Sequence, residues 1–176
     1  MENTPSITTL RHLLDYDASR FTNAEVRLKQ ILPEWVNKAD SLQFKLVLQK
    51  YIDFVDQHIK KMDSFFKEEE IVALSLNNPV MEALILDAEE KLTFCTDAEI
   101  KDACLLALIQ SVNHYKISIY GTAATYANIL GLNKAATIFH EAEINEKHID
   151  DRLSQLAAFE INQRAKSPIK IDQEAH

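Results

Sequence analysis

Glycine is nearly missing from this chain, with two among 176 residues, and proline occurs only four times. Glycine and proline punctuate structure, so their scarcity excludes a fold of many short strands and turns and implies few, long elements. Cysteine is scarce as well. Cys95 and Cys104 stand without any cysteine-histidine ligand spacing, which argues against a disulfide framework or a zinc ribbon and leaves both as ordinary thiols. Positive charge is short: 19 lysines and arginines face 27 acidic residues for a formal net charge of -8. With no basic patch interleaved with aromatics, nucleic acid is not an expected partner. No apolar run approaches the roughly 18 residues of a membrane span. The opening MENTPSITTL lacks the basic stretch and apolar core of an export signal. The expectation is a cytoplasmic protein with no membrane association. A Gly-rich phosphate loop and a nucleophile-base pattern are also missing, so hydrolase and kinase chemistry have no basis.

What is present is apolar periodicity. With 47% hydrophobic residues the chain can fill one sizeable core, and its length suits a single domain over 1–176 with ends 1–8 and 166–176 frayed. Thr8 or Thr9 can cap a helix from Leu10, where Leu14, Asp17, Phe21, Ala24, Leu28, Ile31 and Trp35 recur at alternating spacings of four and three. Pro33 is expected to kink or loosen this helix without ending it. Asp40 or Ser41 caps a second helix with the stripe Phe44, Leu48, Tyr51, Val55, Ile59, Met62 and Phe66, His58 lying at its edge. An apolar patch from Ile71 to Leu76 and the break Asn77-Asn78-Pro79 lead into a shorter helix, about Val80 to Leu92.

A long helix follows, apolar on most of its circumference, with Thr96 and Glu99 reading as a capping box and Gly131 as its C-terminal stop. The last helix, Asn133 to Arg164, has Glu146 in the seam of Phe139, Ala142, Ile149 and Leu153. Two antiparallel pairs joined by a long crossover carrying a short extra helix make an all-α, ferritin-like four-helix bundle.

Lys116 and Asn113 share a face with Leu106, Ile109 and Tyr120 in the long helix. A buried ammonium costs several kcal/mol unless paired. Counting residues back from each turn sets Lys116 level with Glu146, and Glu25 level with Asp53 and Phe54, all near mid-height. Lys116 is therefore expected to pair with Glu146 and with Glu25 across the core.

Several segments resemble the YciE/YciF family of bacterial ferritin-like, ferroxidase-like proteins associated with stress. They are LRHLL through Asn23-Ala24-Glu25, Ile31-Leu32-Pro33, Val112-x-His114-Tyr115 with Ile119-Tyr120-Gly121-Thr122, and Glu146-Lys147-x-x-Asp150. The resemblance implies a ferritin-like bundle, often dimeric, that can hold a carboxylate-bridged dinuclear metal centre. Glu25, Glu141, Glu146 and Asp150 match the family pattern, and Asp53 and Asp56 fall where it carries glutamate with glutamate or histidine. The pattern has an acidic residue in place of Arg20, histidine and glutamate in place of Tyr51 and Phe54, and glutamates in place of Asn113 and Lys116.

A dinuclear carboxylate site draws glutamates from two helices and a Glu-x-x-His unit from each of the other two. No Glu-x-x-His unit occurs here. The expectation is a degraded metal site, no cofactor, and a non-enzymatic stress-associated binding or assembly protein that dimerises through an apolar helix face. The alternative is an iron or manganese protein, ferroxidase-like, using Glu25, Asp53, Asp56, Glu146 and Asp150. Beside it stand plainer readings: Asp17, Asp53 and Asp56 as solvated charges, His58, His114 and His148 as hydrogen-bonded packing residues, and Tyr51, Tyr115 and Tyr120 as core aromatics with a hydroxyl partner.

Overall fold

The computed structural model describes residues 6–71 and 76–166, and every regular element among them is helical. Helix α1 spans Leu10–Lys38, α2 Leu42–Glu68, α3 Pro79–Phe94, α4 Ala98–Ile129 and α5 Asn133–Leu156. The chain of α5 continues through a π-helical stretch, Ala157–Ile161, into a last turn, α6, Asn162–Ala165. No described helix is long and apolar enough to cross a membrane.

The ends of the helices follow from local chemistry. Thr9 and Ser41 accept the backbone N–H groups of His12 and Phe44 and so cap α1 and α2. Pro33 stays within α1. Asn78 caps α3, which starts at Pro79 and runs on to Phe94. The capping box expected from Thr96 and Glu99 does not form. Asp97 is the residue flanking α4, no side chain caps its N-terminus, and Thr96 turns its hydroxyl to the Asp97 carboxylate instead.

Helix α4 stops at Gly131, whose φ of 71° lets the Leu132 amide reach the Ala127 carbonyl at 2.9 Å. The end of α2 has the same wrapped geometry without glycine: Glu70 takes φ 53° while Ile71 N–H reaches the Phe66 carbonyl at 3.0 Å. The apolar patch read at Ile71 to Leu76 lies outside the described residues at 72–75, as do the frayed ends read at 1–8 and 166–176 over residues 1–5 and 167–176.

Helices α1, α2, α5 and α4 form the bundle, each packed on its neighbours around the ring, and α3 crosses its outside against α1 and α4. Arg27 holds Glu82 at 2.6 Å, and the Trp35 indole N–H donates to Glu89 at 2.8 Å, so α3 is pinned along α1. At the end where α1 meets α2, buried Asp102 of α4 accepts the N–H groups of Asp40 and Ser41 at 2.8 and 2.7 Å. Ser41 in turn donates to Glu160 at 2.7 Å. The turn is thereby tied to both ends of the second pair.

The core has two apolar halves. One is built around Leu28, Trp35, Leu48, Val55, Ile109 and Leu153, the other around Leu14, Phe21, Met62, Phe65, Ala123 and Phe139. Between them lies a polar layer.

Candidate functional site

That layer draws one to three side chains from each bundle helix: Glu25 of α1, Tyr51 and His58 of α2, Asn113, Lys116 and Tyr120 of α4, and Glu146 of α5. All are sealed from solvent, the most exposed being His58 at 2%. Each sits on the inward stripe of its own helix, so the packing that buries the leucines buries these groups too.

Lys116 is the hub. Its Nζ lies 2.5 Å from Glu146 Oε1 and 3.0 Å from Glu25 Oε2, with the Tyr51 ring centroid 4.7 Å away. Three N–H directions thus meet two carboxylates and an aromatic face. The remaining oxygens are also engaged. Glu146 Oε2 accepts from the Tyr51 hydroxyl and from Asn113 Nδ2, each at 2.7 Å, and Asn113 Nδ2 also reaches the Glu146 carbonyl at 2.9 Å. Glu25 Oε1 accepts from the Tyr120 hydroxyl and faces His58 Nδ1 at 3.1 Å. Asn145 Nδ2 lies 3.3 Å from His58 Nε2, so both ring nitrogens have a polar neighbour.

Burial pushes against every charge here. For Glu25 the desolvation is outweighed by the Lys116 charge and by the bonds from His58 and Tyr120, and its carboxyl is held down at about 2. For Lys116 desolvation is outweighed by Glu146 and Glu25, and its ammonium is held above the usual lysine value. Burial, reinforced by the facing carboxylates, drives the Tyr51 and Tyr120 phenols well above their usual range. The layer is ionised at Lys116 and Glu25 and protonated at both tyrosines.

Of the residues read as metal ligands, the structure brings Glu25 and Glu146 together and leaves the rest outside. Asp53 is exposed on the far side of α2. Asp56 faces Lys29 at 2.7 Å, and Asp150 faces His114 at 2.8 Å. Asp53 and Asp56 lie on the outer side of α2 and Asp150 at the rim of α5, where water and a surface cation stabilise a carboxylate better than the core can. Glu141 is also outside, paired with Lys61. The polar-core reading of Lys116, Asn113, Glu146 and Glu25 corresponds to the observed contacts. Asp17 is half-buried, and desolvation raises its carboxyl.

His58 was not among the residues read as ligands, and it is central. Its ring nitrogen and the carboxylate oxygens of Glu25 and Glu146 lie within 4.8 Å of one another, the one grouping among the described residues that could hold a cation. The signal was its spacing: seven residues beyond Tyr51, two helical turns, His58 returns to the same face to within about 20°.

Glu25 meets His58 rather than Asp53 or Phe54 for a related reason. Helical side chains lean towards the N-terminus of their helix. Glu25 therefore reaches away from the turn at Ala39 while His58 reaches back towards it.

A dinuclear metal centre does not fit these residues. Two buried carboxylates stand where four are needed, and Lys116 already places a positive charge between them. A metal there would have to expel the ammonium. Phe54 stacks on His58 with rings 7° from parallel and centroids 6.4 Å apart, so an apolar ring stands beside the histidine where a dinuclear site would want another ligand.

The family model described as a domain of unknown function, DUF892, matches residues 9–166. Protein YciF of Escherichia coli strain K12 is 30% identical over 146 residues, which covers 82% of this chain and 88% of that protein. The crystal structure of the E. coli stress protein YciF superposes with a TM-score of 0.83 at 29% identity, covering 92% of this chain and 100% of that one. YcfI from Rhodopseudomonas palustris, described as a candidate structural protein, superposes with a TM-score of 0.83 at 25% identity, covering 86% of this chain and 96% of that one.

Proposed function

Since the chain belongs to the YciE/YciF family, we propose that it is a non-enzymatic, stress-associated binding or assembly scaffold in which a lysine takes the place of a metal centre. The observation that carries this reading is the position of the Lys116 ammonium, 2.5 Å from Glu146 and 3.0 Å from Glu25. A fixed cation reaches both carboxylates, and donors from Tyr51, Asn113 and Tyr120 stabilise the charge it does not balance, so the bundle needs no metal to hold its charged layer together. The descriptions of two relatives, a stress protein and a candidate structural protein, support a role of this kind. The working form is a cytoplasmic homodimer joined through an apolar helix face, a state that sedimentation equilibrium tests directly.

The deciding experiment is elemental analysis of the purified chain before and after anaerobic loading with Fe(II) or Mn(II), with thermal melting and iron oxidation followed in parallel. The scaffold reading expects no stoichiometric metal, an unchanged melt and iron oxidation at the rate of buffer. Stoichiometric metal with a raised melting temperature would overturn it.

The clustering of Glu25, His58 and Glu146 favours a second reading, a mononuclear site. That reading requires Lys116 to leave the layer on metal binding, and its signature is metal uptake accompanied by exposure of Lys116 to amine-reactive labels.

A further inference from the structure

Where α1, α4 and the start of α3 meet, the surface dips into a pocket of about 190 Å³. Phe21, Val80 and Ile119 give it an apolar lining, and Phe21 also packs edge-on against Tyr120 of the charged layer, with ring centroids 6.3 Å apart. The walls are fixed by buried Asn78, whose side-chain amide donates to the Arg20 carbonyl at 3.2 Å and to the Tyr115 hydroxyl at 2.9 Å. The backbone N–H of Asn78 donates to Asn23 at 3.1 Å, so the pocket is formed before anything enters it.

The polar groups that line this pocket are unused. Asp17 and Arg20 are three residues apart on α1, a spacing at which a carboxylate and a guanidinium reach each other. Yet among the described residues neither forms an ion pair or a side-chain hydrogen bond. The Arg20 guanidinium lies over the Tyr16 ring instead, 5.8 Å from its centroid, which leaves its fork of N–H donors free. Desolvation raises the Asp17 carboxyl in spite of Arg20, as it does for a charge without a close partner. The serine and threonine hydroxyls of α4 divide in the same way. Ser111 and Thr125 donate to the carbonyls four residues back, at 3.2 and 3.0 Å, whereas Ser118 and Thr122, which line the pocket, make no side-chain hydrogen bond among the described residues.

We propose that this pocket binds a small free amino acid as its zwitterion, with Arg20 taking the carboxylate, Asp17 the ammonium, and Ser118 and Thr122 the remaining bonds of the head group. One cation and one anion that leave each other unpaired match a ligand carrying both charges. A simple carboxylate would face Asp17 and a simple amine would face Arg20, each meeting a like charge. The guanidinium fork suits a carboxylate gripped through two oxygens. The volume lies below the roughly 300–1,000 Å³ that drug-sized ligands fill, and the apolar lining suits a short side chain.

The test titrates the isotope-labelled full chain with each of the standard amino acids in turn and follows its backbone amide signals. At least one should bind saturably, with shifts centred on residues 17–21, 78–80 and 115–122. Propionate and propylamine, each half of a zwitterion, should bind about tenfold or more weakly. Arg20→Gln and Asp17→Asn should each weaken binding of the amino acid by about tenfold or more. Circular dichroism verifies that both variants fold, and Thr122→Ala, at an exposed position, should weaken binding without touching either charge. The proposal is overturned if no amino acid saturates the chain below about 10 mM. It is equally overturned if the shifts centre elsewhere, if propionate or propylamine binds as tightly, or if the folded charge variants bind like the unaltered chain.

Discussion

The ammonium of Lys116 lies 2.5 Å from Oε1 of Glu146, and neither side chain touches water. Removing it strands two carboxylates in the core. Lys116→Ala should destabilise the fold by about 3–5 kcal/mol in urea unfolding. Lys116→Met, which keeps most of the volume, should cost less, and Lys116→Met combined with Glu146→Gln should recover part of the loss. Equal and negligible losses for both single variants would show that the pair contributes nothing.

The charged layer also sets how stability depends on pH. The Glu25 carboxyl is held at about 2, below its ordinary value of 4.5, so its contribution is present above 4.5 and lost as pH falls towards 2. The Lys116 ammonium is held above its ordinary value of 10.5, so its contribution is present below 10.5 and lost as pH rises through the raised value. Urea midpoints measured across the pH range should fall at both ends. With Glu25→Gln the acid-side slope should flatten, and an unchanged slope would assign it elsewhere.

Deleting the internal cation should open the layer to an external one. In Lys116→Ala, Glu25, His58 and Glu146 keep three ligand atoms within 4.8 Å and lose their competitor. Co(II) should then bind with visible d–d absorption and restore part of the lost stability, while the unaltered chain should show neither effect. Silence from the variant would mean that the three groups collapse when the lysine is gone.

Glu70 ends α2 at φ 53°, a conformation that costs a residue with a Cβ about 1 kcal/mol. Glu70→Gly should therefore raise stability by roughly 0.5–1 kcal/mol in chemical denaturation. A loss would show that the Glu70 side chain contributes more than its backbone strain costs.

The bundle was readable because the apolar spacing of four and three survives along both helix pairs, and because Pro79 and Gly131 mark boundaries that no other residue marks as well. The pairing of Lys116 with Glu146 was readable for the same reason, since both are 15 residues from Gly131 in opposite directions. Asp53 and Asp56 show where this stops working. They match the family's ligand chemistry by residue type, yet in steps of about 100° they point roughly 200° and 140° away from Tyr51, on the water side of α2. Asp150 shares the face of Glu146, but the surface offers it His114, and a carboxylate at the rim turns outwards. The cap at Thr96 was a pattern without enough geometry behind it, because a hydroxyl satisfied by the neighbouring carboxylate has no need of the helix.

The chain contains one tryptophan, Trp35, with 0% of its surface exposed and its indole N–H on Glu89. That places a fluorophore at the seam between α1 and the crossover helix. Its emission should be blue-shifted in the folded protein and move to the red as soon as water reaches the indole. Fluorescence therefore reports the lifting of α3, while circular dichroism reports the melting of the bundle. Any gap between the two unfolding curves would measure how far the crossover can detach while the four long helices stay together.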